Sequence, residues 1–98
     1  MKTVVTTDVF DVWFEGLRDK QGKRRIQARI DCAEEGNFGD HKSVGQGVSE
    51  TRIDCGPGYR VYFILRELEL VILLAGGDKS SQQADIRLAL AIARELED

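Results

Sequence analysis

The spacing of apolar residues changes twice along the chain, and each change marks a different kind of element. Thr3-Val4-Val5-Thr6 is β-branched throughout and predicts a short strand. Thr7 and Asp8 then supply an N-cap and a first-turn acid for a helix whose apolar face carries Phe10, Trp13, Phe14 and Leu17. Asp19 caps a second predicted helix with Ile26, Ile30 and Ala33 on its buried stripe, ended by Glu35-Gly36-Asn37. The stretch from Gly36 to Gly47 reads as one glycine-rich loop. Beyond it the period falls to two, with Glu50, Arg52 and Asp54 on one side of a strand over 48–54. A second such strand covers 59–64, after the turn Cys55-Gly56-Pro57-Gly58. Leu70 to Ala75 is nearly all apolar and predicts a central strand. Helical spacing returns at Ile86, Leu90 and Ala93, with Ser80 or Ser81 as the cap. The expected architecture is α+β: one domain over 1–98, with two N-terminal helices packed on a small, mainly antiparallel sheet plus a C-terminal helix.

Composition narrows the functional classes. The 98 residues carry a net charge of −3, which argues against a protein that coats nucleic acid over its whole surface. The balance is uneven, however. Between Arg18 and Arg29 six cations face one acid, so the predicted second helix, with Lys23, Arg24 and Arg25, is a local basic surface suited to an RNA backbone or an acidic partner, or else a solvated face. The start of the chain shows no signal-peptide pattern, and the longest apolar run falls well short of the ~20 residues of a membrane helix. A cytoplasmic protein without membrane contact is expected. Cys32 and Cys55 form no metal-ligand spacing and His41 is the single histidine, so neither a metal centre nor a disulfide is expected.

Candidate chemistry rests on scattered cations. Lys42, Arg52, Arg60 and Lys79 lie near predicted strand ends and turns, with His41, Tyr59 and Tyr62 close by in sequence. Cleaving RNA by its own 2′-hydroxyl needs a base, cations for the charge growing on phosphorus, and an acid for the leaving oxygen. Arginine and lysine suit the second task, and a clustered lysine with a depressed pKa suits the first. Tyr62 or His41 could orient or donate a proton. The same residues also suit plainer roles: Arg60 as an ion-pair partner of Glu50 or Asp54, and Lys42, His41 and Lys79 as solvated surface groups. Gly76-Gly77-Asp78-Lys79-Ser80 ends a strand and opens a helix but lacks the spacing of a phosphate-binding loop, and no small-molecule cofactor is expected.

Four stretches together carry a family resemblance. Gly36-Asn37-Phe38-Gly39-Asp40-His41-Lys42-Ser43-Val44-Gly45, the run from Gly47 to Asp54, Gly56-Pro57-Gly58-Tyr59-Arg60-Val61-Tyr62-Phe63, and Gly76-Gly77-Asp78-Lys79-Ser80-Ser81-Gln82 resemble the addiction-module killer proteins, a HigB-like branch of the RelE/ParE toxin superfamily. The resemblance implies the toxin of a type II toxin–antitoxin module, a ribosome-dependent messenger-RNA endoribonuclease that inhibits translation. It also implies a cognate antitoxin, HigA-like with a helix-turn-helix. By position, Arg60 matches the arginine placed on the scissile phosphate and Lys79 the basic residue at the end of the last strand. Lys42 and Tyr62 complete the expected catalytic set, and Lys23, Arg24, Arg25 and Arg52 the expected RNA-binding set. ParE-like relatives share the fold and act on DNA gyrase without cutting RNA, so a non-nuclease toxin is the alternative.

Overall fold

The Thr7 side chain shows how the chain enters its fold. Its hydroxyl accepts a hydrogen bond from the Phe10 amide at 3.1 Å and donates one to the Leu74 carbonyl at 2.7 Å, so one side chain both starts the first helix and ties it to the sheet. In the computed structural model the chain runs β1 (Thr3–Thr6), α1 (Asp8–Glu15), α2 (Lys20–Glu34), β2 (His41–Gly45), β3 (Val48–Ile53), β4 (Tyr59–Arg66), β5 (Leu70–Asp78), a 3₁₀ turn (Lys79–Ser81) and α3 (Gln82–Glu97). The structure describes residues 1–97; Asp98, the last residue of the predicted 1–98 domain, lies outside the described residues. Among the described residues no helix is long and apolar enough to cross a membrane.

The five strands form one sheet in the order β1-β5-β4-β3-β2. β1 runs parallel to β5, and the other three pairings are antiparallel. Each face of the sheet is covered. On one side Phe10, Ile26, Ile53, Tyr59, Val61, Phe63, Val71 and Leu73 form a core that α1 and α2 close. On the other, Val48, Tyr62, Ile64, Ile72, Leu74 and Ala75 pack against Ala89 and Ala93 of α3. Between β4 and β5 the alternation slips: Tyr62 pairs with Ala75 and Phe63 with Leu73, leaving Leu74 as the extra residue of a bulge. Leu74 and Ala75 therefore both belong to the α3 side. The bulge offsets the end of β5, where the Gly76-Gly77 pair lies.

This architecture corrects the expected one. The chain opens with the strand expected over Thr3–Thr6, but that strand joins the sheet in parallel beside β5, so the sheet is mixed. The helices do not form one N-terminal layer: α1 and α2 lie on one face and α3 on the other. A fifth strand, β2, lies inside the stretch expected to be a loop. Its residues His41-Lys42-Ser43-Val44-Gly45 are exposed except for a half-buried Val44, because an edge strand over which little packs needs no apolar alternation. β5 also runs on through Gly76 and Gly77 to Asp78. Those glycines are strand residues because both faces are crowded there. A Cβ on Gly76 would lie 2.3 Å from Cε3 of Trp13, and one on Gly77 would overlap the Asp85 carboxylate.

Candidate functional site

β3 and β4 pair so that Glu50 faces Tyr62 and Arg52 faces Arg60 across the ladder, all four on the side covered by α3. Directly opposed arginines repel. Glu50 resolves the conflict, since its Oε1 accepts from Arg60 Nη1 at 3.0 Å and lies 3.4 Å from Arg52 Nε. Its Oε2 accepts from Nε2 of Gln82, the first residue of α3, at 2.9 Å. Glu50 is completely buried. Although 32% of the residues are charged, the ion pairs among the described residues both run through this one carboxylate. Three polar atoms around it are buried without a hydrogen-bond partner: Arg52 Nε, Arg60 Nε and the Tyr62 hydroxyl. Burial first, then the charge of Glu50, pushes the Tyr62 phenol far above its ordinary pKa.

Above this network opens a polar cleft of about 300 Å³, lined by Arg52, Arg60 and Lys79 together with Asp40, Asp54 and Tyr59. Lys79 reaches it from the 3₁₀ turn, which Asp78 caps by accepting from the Ser80 amide at 2.9 Å. Lys79 is exposed, and among the described residues it makes no ion pair. Tyr59 forms the floor toward α2. Its hydroxyl donates to Asp19 Oδ2 at 2.9 Å, and Asp19 in turn caps α2 by accepting from the Gly22 amide at 3.0 Å. Burial, followed by the bond to Asp19 and its charge, pushes the Tyr59 phenol up to about 12. The Gly22 amide and then the Tyr59 hydroxyl hold the Asp19 carboxyl below its ordinary range. Gly22 itself is required by closeness, since a Cβ there would sit 2.5 Å from the Tyr59 ring.

The expected site residues separate into groups. Arg52, Arg60 and Lys79 meet in the cleft. Tyr62 does not reach it, being fully buried beneath α3. Lys42 stands opposite Glu50 on edge strand β2, exposed and outside the cleft lining. Lys23, Arg24 and Arg25 lie in the first half of α2, on the helix that covers the other face. Lys23 folds back over the Phe14 ring, 5.2 Å from its centroid, while Arg24 and Arg25 are exposed. His41 packs near Phe38 and Phe63, with Nδ1 on the Gly39 carbonyl at 2.9 Å, and takes no part in the cleft. Cys32 and Cys55 are free thiols. Among the described residues no group of three or more His, Cys, Asp or Glu side chains could hold a metal ion.

Sequence reasoning offered Glu50 as an ion-pair partner of Arg60, which the structure shows, but missed its complete burial, the carboxylates Asp40 and Asp54 as cleft residues, and Gln82 as part of the support beneath. A signal for Glu50 was present. It shares its strand face with Val48, the apolar residue two positions before it, so the phase of the strand points Glu50 inward. No comparable signal exists for Gln82, which meets Glu50 only once α3 is docked on the sheet.

No family model matches the chain. A Haemophilus influenzae protein named as uncharacterized is 50% identical to it over 93 residues, which span 95% of this chain and 94% of that protein.

Proposed function

The chain belongs to one family with that Haemophilus influenzae protein, and we propose that it is the toxin of a type II toxin–antitoxin module, an endoribonuclease acting on messenger RNA at the ribosome. The observation that carries this reading is the meeting of Arg52 from β3, Arg60 from β4 and Lys79 from the turn before α3 in one open polar cleft. Its size suits a bent ribose–phosphate link better than a drug-sized apolar ligand, and its walls are polar and charged.

In the proposed reaction the 2′-hydroxyl attacks the adjacent phosphorus while the bond to the 5′-oxygen breaks, leaving a 2′,3′-cyclic phosphate and a 5′-hydroxyl whose proton comes from water in the open cleft. Arg60, held in place from below, and exposed Lys79 stabilise the negative charge that grows on the phosphoryl oxygens. Arg52 steadies the neighbouring phosphate. The carboxylates of Asp40 and Asp54 are the lining groups able to take the 2′-hydroxyl proton, since Tyr59 keeps its own proton bound to Asp19. The exposed arginines of α2 add backbone contacts, which keeps attraction local in a chain of net charge −3. The partners proposed with this activity are the ribosome, messenger RNA and a HigA-like antitoxin that silences the toxin, and the proposed site of action is the cytoplasm.

Lys79→Ala is the cleanest test, because the side chain is exposed and supports nothing beneath it. Loss of one transition-state cation is expected to slow cleavage of ribosome-bound messenger RNA by about 10²–10³-fold. Melting temperature is expected to be unchanged. A Lys79→Ala protein that arrests growth as fast as the parent would overturn the nuclease reading in favour of a toxin that acts on gyrase or another protein.

A further inference from the structure

We infer that Glu50 is a positioning residue, one that aims the Arg60 guanidinium into the cleft and ties that aim to the docking of α3. The inference rests on the proposed reaction and adds to it a residue that never touches substrate. Three observations converge on it. Glu50 is fully buried, and a buried carboxylate is retained only where its partners compensate its lost hydration. Both its oxygens are engaged, Oε1 with Arg60 Nη1 at 3.0 Å and Oε2 with Gln82 Nε2 at 2.9 Å. Arg60 itself is only 11% exposed along its side chain, yet it lines the cleft, so little of the guanidinium is free and the direction of that part is set by the bond to Glu50.

The arrangement joins β3, β4 and the first residue of α3 through one anion. Arg60 without that anion faces Arg52 across the ladder, where like charges repel, and a long side chain released from its partner samples several rotamers. A guanidinium fixed before the phosphate arrives avoids that reorganisation, which is what electrostatic stabilisation of a transition state requires. Gln82 makes the fixing conditional on α3: if the helix lifts, the second carboxylate oxygen loses its partner.

Charge and position make opposite predictions for Glu50→Gln. Removing a negative charge beside the cleft strengthens attraction for an anion, whereas releasing Arg60 weakens its action on the transition state. The experiment measures, on purified protein, the affinity for a short single-stranded RNA, single-turnover cleavage of messenger RNA on ribosomes, melting temperature, and the side-chain NMR signals of Arg60. The positioning role predicts that Glu50→Gln binds the RNA as tightly as the parent or tighter and cleaves about 10²-fold more slowly. The Arg60 Nη signals, separate in the parent, are expected to merge as the group rotates freely. Gln82→Ala, which leaves the Glu50–Arg60 pair in place and serves if Glu50→Gln does not fold, should show a smaller change of the same kind. Glu50→Gln on an Arg60→Lys background should add little further loss. Parent-like cleavage per folded molecule in both variants, with an unchanged Arg60 spectrum, would overturn the inference. A parent protein that cleaves no RNA would instead count against the nuclease reading, and the Arg60 spectra would still decide whether Glu50 fixes that side chain.

Discussion

Gly76→Ala is expected to destabilise the protein through one contact. Gly76 sits on β5 opposite Val61, with the Trp13 ring lying against it, so that an added Cβ would stand 2.3 Å from Cε3 and Cζ3 and 2.7 Å from Cη2. Carbon atoms settle about 3.5–4.0 Å apart, so either the ring or the strand must retreat by more than about 1 Å. The ring has little room, since its neighbours are Phe10, with ring centroids 5.7 Å apart, and Tyr59 at 6.3 Å. Overpacking of this kind costs about 1–3 kcal/mol. For a domain of this size each kcal/mol lowers the melting temperature by about 4–8 °C, so a fall of roughly 5–20 °C is expected. Trp13 is the single tryptophan, and its fluorescence reports both the displacement and the unfolding. Adding Trp13→Phe to Gly76→Ala should recover part of the loss, with a coupling of about 0.5–3 kcal/mol between the two sites. A Gly76→Ala protein with parental melting temperature and emission would refute the packing argument.

Two further outcomes follow from the same structure. Arg60→Ala strands the buried Glu50 carboxylate and is expected to cost about 3–5 kcal/mol, read from denaturant midpoints, with Glu50→Gln in the same chain restoring much of it. Loss of the proposed cleavage activity in Arg60→Ala alone would therefore mix folding with chemistry. Tyr59, whose pKa is raised from 10.0 to about 12, holds a proton in the folded state that the unfolded chain gives up earlier. The resulting stability is complete below pH 10 and drains away as pH climbs toward 12. Tyr59→Phe should flatten that part of the decline in urea midpoints measured from pH 8 upward, and an unchanged slope would contradict the assignment.

Local chemistry made much of the fold readable in the sequence. Thr7 and Asp19 were legible as helix caps because a short polar side chain ahead of an apolar helical stripe has one common use, and both accept from the expected amides. The unbroken run from Leu70 to Ala75 was legible as a strand buried on both faces. What sequence could not supply is the partnership between distant segments. β1 pairs in parallel with β5 although about two thirds of the chain separates them, and no local pattern specifies such a neighbour. β2 escaped notice because an exposed edge strand of His, Lys, Ser and Gly carries no period of its own.

The same distinction holds at the site. Arg52, Arg60 and Lys79 were readable as cations near strand ends, and they meet in one cleft. Tyr62 was chosen from its closeness in sequence to Arg60, but neighbours two apart on a strand share a face without sharing an environment. Arg60 lies at the open end of β4, while Tyr62 lies one step further under α3. Lys42 misses the cleft because it stands on the outer strand beside Glu50, two residues past the cleft residue Asp40.

The most direct test of the account is to sequence RNA ends in cells after brief induced expression, with ribosomes active and with initiation blocked, for the parent and for Lys79→Ala. New internal ends within coding regions are expected for the parent, lost when initiation is blocked and absent in Lys79→Ala. Growth arrest by the parent with no new RNA ends would contradict it.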